Sequence, residues 1–116
     1  MKNARVALIV VLSMIFAAQA FAAPDESAVE KGQKVYQKWC FPCHGTGSGK
    51  PATDLLAARD KGSRPAALEE RTDLSAPLIK MFVRHGVMFM PTFRKTEISD
   101  ADLDALSAYL TRNNKR

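Results

Sequence analysis

Cysteine is scarce in this chain: two among 116 residues, Cys40 and Cys43. A structural zinc site needs about four ligands, and no second Cys pair exists to complete one. No βαβ pattern surrounds the pair, which argues against a thioredoxin-like redox role. Histidine is equally rare, with His44 and His85 alone. No stretch alternates apolar and polar residues as a half-buried strand would, and no repeat or linker divides the chain. The expected class is therefore all-α, in one small domain. The basic residues form no stripe interleaved with aromatics, so nucleic acid is not an expected partner. The apolar run Val6 to Ala18 is too short to span a bilayer comfortably.

That run has a different reading. Met1-Lys2-Asn3-Ala4-Arg5 is a basic start, and Ala18-Gln19-Ala20 and Ala20-Phe21-Ala22 are small-x-small cleavage sites. Residues 1–22 are read as a secretory signal peptide, leaving 23–116 as the working domain. No membrane association is expected after cleavage, and the expected location is the periplasm. Losing Lys2 and Arg5 takes the basic residues from 17 to 15 against 12 acids, a balance of about +3. In an oxidising compartment a lone Cys pair would ordinarily be a disulfide.

What is present argues against that disulfide. Cys40-Phe41-Pro42-Cys43-His44 puts both cysteines two residues apart, with a histidine directly after them. C-x-x-C-H is a c-type haem attachment pattern. Each thiol can add to one porphyrin vinyl group, and the histidine can offer an imidazole nitrogen to the iron. So Cys40 and Cys43 are the expected covalent anchors of one haem c, and His44 an axial ligand. A mature chain of this size buries only a modest core of its own. A covalently held porphyrin would supply the missing apolar centre.

Around this motif the pattern is helical. Asp25 or Ser27 can cap a helix running to about Trp39, with Val29, Gly32, Val35, Tyr36 and Trp39 at helical spacing. Gly32 inside that helix suggests close approach of another helix. Gly45 to Pro51 reads as a loop. Thr53 or Asp54 can cap a short piece, Leu55 to Arg59, ended by Gly62; Ser63 and Pro65 can start another, Ala66 to Arg71. Ser75-Ala76-Pro77 starts a helix whose face is Leu78, Ile79, Phe82 and Val83, with Arg84 and His85 in its last turn and Gly86 closing it. Ser99-Asp100-Ala101-Asp102 resembles a capping box, stapled by Ile98 and Leu103. Leu103, Leu106, Tyr109 and Leu110 then face the core, and Asn113 to Arg116 should fray.

A second axial ligand is needed. The candidates are Met81, His85, Met88 and Met90. Met81 falls among core positions of a helix. Met88 and Met90 follow Gly86, and extended residues alternate sides, so both sulfurs can point one way. Pro91 pushes Met90 toward extended backbone. Met90 is the expected ligand, Met88 the alternative and His85 the third choice. Val87-Met88-Phe89, flanked by Arg84 and Arg94, is either an apolar docking centre with a charged rim or a lining for the porphyrin. Arg59, Arg64 and Arg94 are candidate partners for the propionates or simply solvated surface.

Cys40-x-x-Cys43-His44, the Gly-rich loop with Pro51, Met90-Pro91 and a terminal helix with Tyr109 resemble a class I cytochrome c. The resemblance implies roughly three to five short helices around one haem, with Gly32, Tyr36 and Tyr109 where the terminal helices cross. It also implies that the Pro51 carbonyl orients His44, a contact that fixes the imidazole tautomer. From Lys61 to Leu74, Phe82 to Val87 and Met90 to Asp100 the chain resembles cytochrome subunits of 4-alkylphenol flavocytochromes, of the eugenol hydroxylase, 4-ethylphenol methylenehydroxylase and p-cresol methylhydroxylase type.

By that resemblance, an FAD-containing flavoprotein subunit oxidises the substrate and hands single electrons to this haem. A downstream soluble acceptor then takes them, and this chain has no catalytic site of its own. The alternatives are a free periplasmic shuttle with several partners, or a haem enzyme or gas sensor. The last needs an open iron site, against which the Met-rich loop argues.

Overall fold

The computed structural model describes residues 26–115. The expected signal peptide and Asp25 lie outside them. Five α-helices follow in order: α1 Glu26–Trp39, α2 Phe41–His44, α3 Pro51–Asp60, α4 Ala76–His85 and α5 Asp100–Thr111. A 3₁₀ turn, Leu68–Glu70, lies between α3 and α4. No strand occurs among the described residues, which hold one isolated bridge, Val87 to Met90. The fold is all-α, as the helical periodicity implied. No described helix is long and apolar enough to cross a membrane.

The fold is organised by α1 lying across α5. At Gly32 an added Cβ would come within 2.6 Å of the Ala105 carbonyl carbon and 2.8 Å of Tyr109 Cβ. Only a residue with no side chain lets the two backbones meet there. One turn on, the rings of Tyr36 and Tyr109 lie 5.5 Å apart. Lys31 pairs with Asp102 at 2.9 Å on the rim of the same contact. The core that forms around this crossing holds Tyr36, Leu74, Ile79, Val83, Ile98, Leu103, Leu106, Tyr109 and Leu110. These include both buried positions of α4, Ile79 and Val83, spaced one turn apart on one face.

The helix ends follow from local chemistry. The Ser75 hydroxyl accepts from Leu78 N at the start of α4, and Gly86 closes it at φ 68°. At α5 the Ser99 hydroxyl accepts from Asp102 N at 3.1 Å and donates to the Asp102 carboxylate at 2.8 Å. The Asp102 carboxylate is thus divided between the cap hydroxyl and Lys31. The acidic residue of a full capping box instead reaches back to the cap's own N–H.

Four expectations need correction. Ser27 lies inside α1 and is not its cap. α3 begins at Pro51, so Thr53 and Asp54 are inside the helix, and the left-handed residue after it is Lys61, with φ 47°. Proline at the first helical position gives up no hydrogen bond, which is why α3 can start there. The segment Ala66 to Arg71 is not an α-helix. Buried Ala67 is extended, and the three residues after it make a single 3₁₀ turn. The start of the tail is tied down: Asn113 donates to the Glu69 carbonyl at 2.9 Å, and Asn114 donates to that of Leu74.

An ionic cluster locks the 3₁₀ region onto the end of α3. Buried Arg71 donates to both oxygens of Asp73, at 2.6 and 2.7 Å, and lies 3.8 Å from Asp60. Arg59 and Arg64 pair with the same Asp60 at 2.7 and 3.3 Å. Asp60 is held below the usual carboxylate range, chiefly by its hydrogen bond from Arg59.

Candidate cofactor site

The backbone of α1 runs on into the cysteine pair. Cys40 N donates to the Tyr36 carbonyl at 2.9 Å, continuing the α1 ladder. The Cys40 carbonyl then accepts from Cys43 N at 3.1 Å and His44 N at 2.8 Å. That is one tight turn, with Pro42 in its first positions. Residues three and four apart share a helix face, so this turn gathers Cys40, Cys43 and His44 on one side. Two side-chain bonds fix the backbone beyond it. The Tyr36 hydroxyl donates to the His44 carbonyl at 3.0 Å. The Thr53 hydroxyl, from α3, donates to the Gly45 carbonyl at 2.9 Å. Neither role is legible in the sequence, where Tyr36 reads as a helix-crossing residue and Thr53 as a cap candidate.

The two cysteines are not bonded to each other; Cys40 is buried and Cys43 exposed. Burial, helped by the neighbouring Cys43, pushes the Cys40 thiol up to about 12. A neutral sulfur, thiol or thioether, is what this position tolerates. Burial also holds the His44 imidazole below its usual value, so it is neutral and able to ligate a metal. Its Nδ1 is buried and has no hydrogen-bond partner. The expected bond to the Pro51 carbonyl is therefore not made. Pro51 opens α3, where carbonyls point along the helix axis.

The methionines lie on a second structure. Gly86 turns the chain out of α4, and Val87 and Met90 exchange backbone bonds, with N···O distances of 3.2 and 2.8 Å. Met88 and Phe89 form the tip between them, Met88 in the left-handed region at φ 51°. This reversal overturns the extended reading. Met88 stands at the tip, 88% exposed, while Met90 is partly buried and packs on the core cluster that includes Cys40. The two sulfurs do not share a side. His85 is exposed and turned back on its own helix, its Nδ1 2.9 Å from the Met81 carbonyl.

Two contacts tie this loop to the rest. Phe93 N donates to the Val83 carbonyl at 2.9 Å. The Trp39 ring, adjacent to Cys40, meets the Phe93 ring edge-on at 5.8 Å. The end of α1 and the segment following Met90 are thereby held together. Arg84 points inward and is no rim charge: it donates to the Phe93 and Ile98 carbonyls at 3.0 and 2.9 Å. Arg59, Arg64 and Arg94 already have protein carboxylate partners in Asp60, Asp73 and Glu97. Among the described residues no group of three or more His, Cys, Asp or Glu is placed to hold a metal ion directly.

A C-x-x-C-H turn beneath two crossed terminal helices, facing a Met-bearing loop, defines a class I c-type cytochrome. Residues 27–110 match the family described as cytochrome c oxidase, cbb3-type, subunit III, and the chain belongs to that family. No curated protein and no solved structure matches it. As a c-type cytochrome it binds haem c and transfers electrons.

Proposed function

We propose that this chain is an exported, periplasmic carrier of single electrons with one covalently held haem. In this reading Cys40 and Cys43 form the thioethers, and His44 and Met90 are the axial ligands. The observation that carries it is the one-turn grouping of Cys40, Cys43 and His44, with a half-buried, neutral imidazole whose Nδ1 is shut off from solvent. Apolar side chains left open on α3 and α4, Leu55, Leu78 and Met81, suit the flank of a porphyrin. Haem c supplies a one-electron couple, and a thioether axial ligand raises its potential.

The test is spectroscopic. Acid-acetone extraction should leave the colour in the protein, and Cys40→Ser with Cys43→Ser should release it. Met90→Ala should abolish the weak sulfur-to-iron charge-transfer band of the oxidised protein and lower its potential, while Met88→Ala keeps the band. The reverse outcome would hand the role to Met88. Carbon monoxide binding to the reduced wild type would favour a haem enzyme or gas sensor instead.

For a partner we propose an FAD-containing subunit that oxidises a 4-alkylphenol, with a soluble acceptor downstream. Its support is the run Arg94-Lys95-Thr96-Glu97-Ile98-Ser99-Asp100 and the two segments before it. A second reading has its own support. The matched family is described by an oxidase subunit, so the acceptor would be a terminal oxidase. Purification of the native protein separates these: a bound flavoprotein supports the first, a co-purifying oxidase the second, and an isolated monomer a free shuttle.

A further inference from the structure

We infer that Arg84 is the positioning residue for Met90, locking the loop that presents its sulfur; this rests on the reading of Met90 as axial ligand. The loop leaves α4 at Gly86 and returns to the core at Ile98. Arg84, in the last turn of α4, spans its base. One guanidinium nitrogen, Nη1, donates to the carbonyls of both Phe93 and Ile98, at 3.0 and 2.9 Å. The other, Nη2, donates to the Asp100 carboxylate at 2.9 Å, at the first residue of α5. The side chain is only 19% exposed. Arg84 thus joins α4, the segment leaving the methionine turn and the start of α5 through one planar group.

Its neighbour Val83 accepts from Phe93 N, so both backbone polar groups of Phe93 are held by consecutive residues of α4. Phe93 is three residues beyond Met90, with Pro91 stiffening the interval. With Phe93 pinned on one side and the Gly86 turn on the other, little freedom remains for Met90. The fork geometry matters here, because a lysine offers a point charge where arginine offers donors in two directions.

The test is competition at the iron. An added ligand such as imidazole binds only when the methionine has let go, so its apparent affinity rises with the open fraction. In haem-loaded Arg84→Gln, the affinity of the oxidised protein for imidazole is expected to rise about tenfold, with the sulfur-to-iron band kept in the absence of imidazole. Arg84→Lys should recover less than half of that loss on a logarithmic scale. It also serves where Arg84→Gln does not fold. Asp104→Asn, which breaks only the surface pair with Lys80, is the control and should leave the affinity unchanged. A role confined to overall stability would lower the urea midpoint of the Arg84 variants and leave imidazole affinity at the wild-type value; that result overturns the inference. Wild-type affinity in Arg84→Lys alone would overturn the need for the fork. If Met90→Ala keeps the band, the ligand reading itself fails, which is a separate result.

Discussion

The Trp39 and Phe93 rings meet edge to face, with centroids 5.8 Å apart and planes at 70°. Trp39 precedes the first cysteine of the C-x-x-C-H turn, and Phe93 follows the Met-Pro pair. The contact links the two halves of the proposed ligand set. Aromatic pairs in this geometry add stabilisation beyond the area they bury.

Phe93→Ala should therefore do two things. It should destabilise the haem-loaded protein by about 2 kcal/mol, less than a fully buried Phe because the ring is half-buried. It should also raise the affinity for added imidazole, since the Met90 segment loses its anchor on α1. Urea unfolding and imidazole titration measure the two effects separately. Phe93→Leu, which refills most of the space, should restore stability more than it restores ligand retention.

Gly32→Ala tests the helix crossing. The new methyl would fall on the Ala105 carbonyl, backbone that cannot step aside without moving α5. Overpacking of this kind costs about 1–3 kcal/mol, and Gly32→Val should cost more. The gain of about 1 kcal/mol that alanine brings over glycine in an open helix should not appear. A rise in thermal midpoint for Gly32→Ala would mean that the helices are not in contact there.

α4 and α5 were legible in the sequence because their signals are local. Ser75, Gly86 and Ser99 sit where caps belong, and Leu103, Leu106 and Leu110 recur at helical spacing. The C-x-x-C-H turn is legible for the same reason. Only the later half of α3, Leu55 to Arg59, was legible, because none of its residues is buried and it has no apolar face to read. The methionine turn was missed because its tip is Met88-Phe89, where a positive φ normally calls for Gly, Asn or Asp. Arg84, Asn113 and Asn114 act on carbonyls 9 to 44 residues away, and no sequence pattern reports such pairings.

Acid should weaken the ionic cluster in a defined window. The hydrogen bond from Arg71 holds the Asp73 carboxyl below the usual carboxylate range. A depressed carboxylate stabilises the fold above its unfolded pKa of about 3.9 and loses that contribution as pH falls through its folded value. Asp73 is 44% exposed, so screening by water limits the effect. Asp73→Asn should cost on the order of 1 kcal/mol at pH 7. The difference from wild type should be smaller at about pH 3 than at pH 7, because protonation of the native residue begins to remove it once pH falls below the unfolded value. Urea midpoints at the two pH values check this; an equal loss at both would assign the cost to packing.

The last prediction concerns the tip of the methionine turn. Val87, Met88 and Phe89 are apolar, and the latter two are each 88% exposed. Arg94 and Lys95 stand near them in sequence as exposed charges, whereas Arg84 is spent on Phe93, Ile98 and Asp100. An apolar centre beside charge suits a transient protein contact, since little has to be desolvated at the point of closest approach. Such a contact would lie two residues from Met90, close to the iron in the proposed site. Phe89→Asp should leave the haem spectrum and the sulfur-to-iron band unchanged. It should weaken binding to a purified alkylphenol-oxidising flavoprotein by about tenfold or more, as burying an unpaired carboxylate requires. Stopped-flow transfer from reduced flavin to haem gives both affinity and rate. An unchanged rate at every concentration would move the docking surface elsewhere, and a disturbed spectrum would return Phe89 to the lining of the haem pocket.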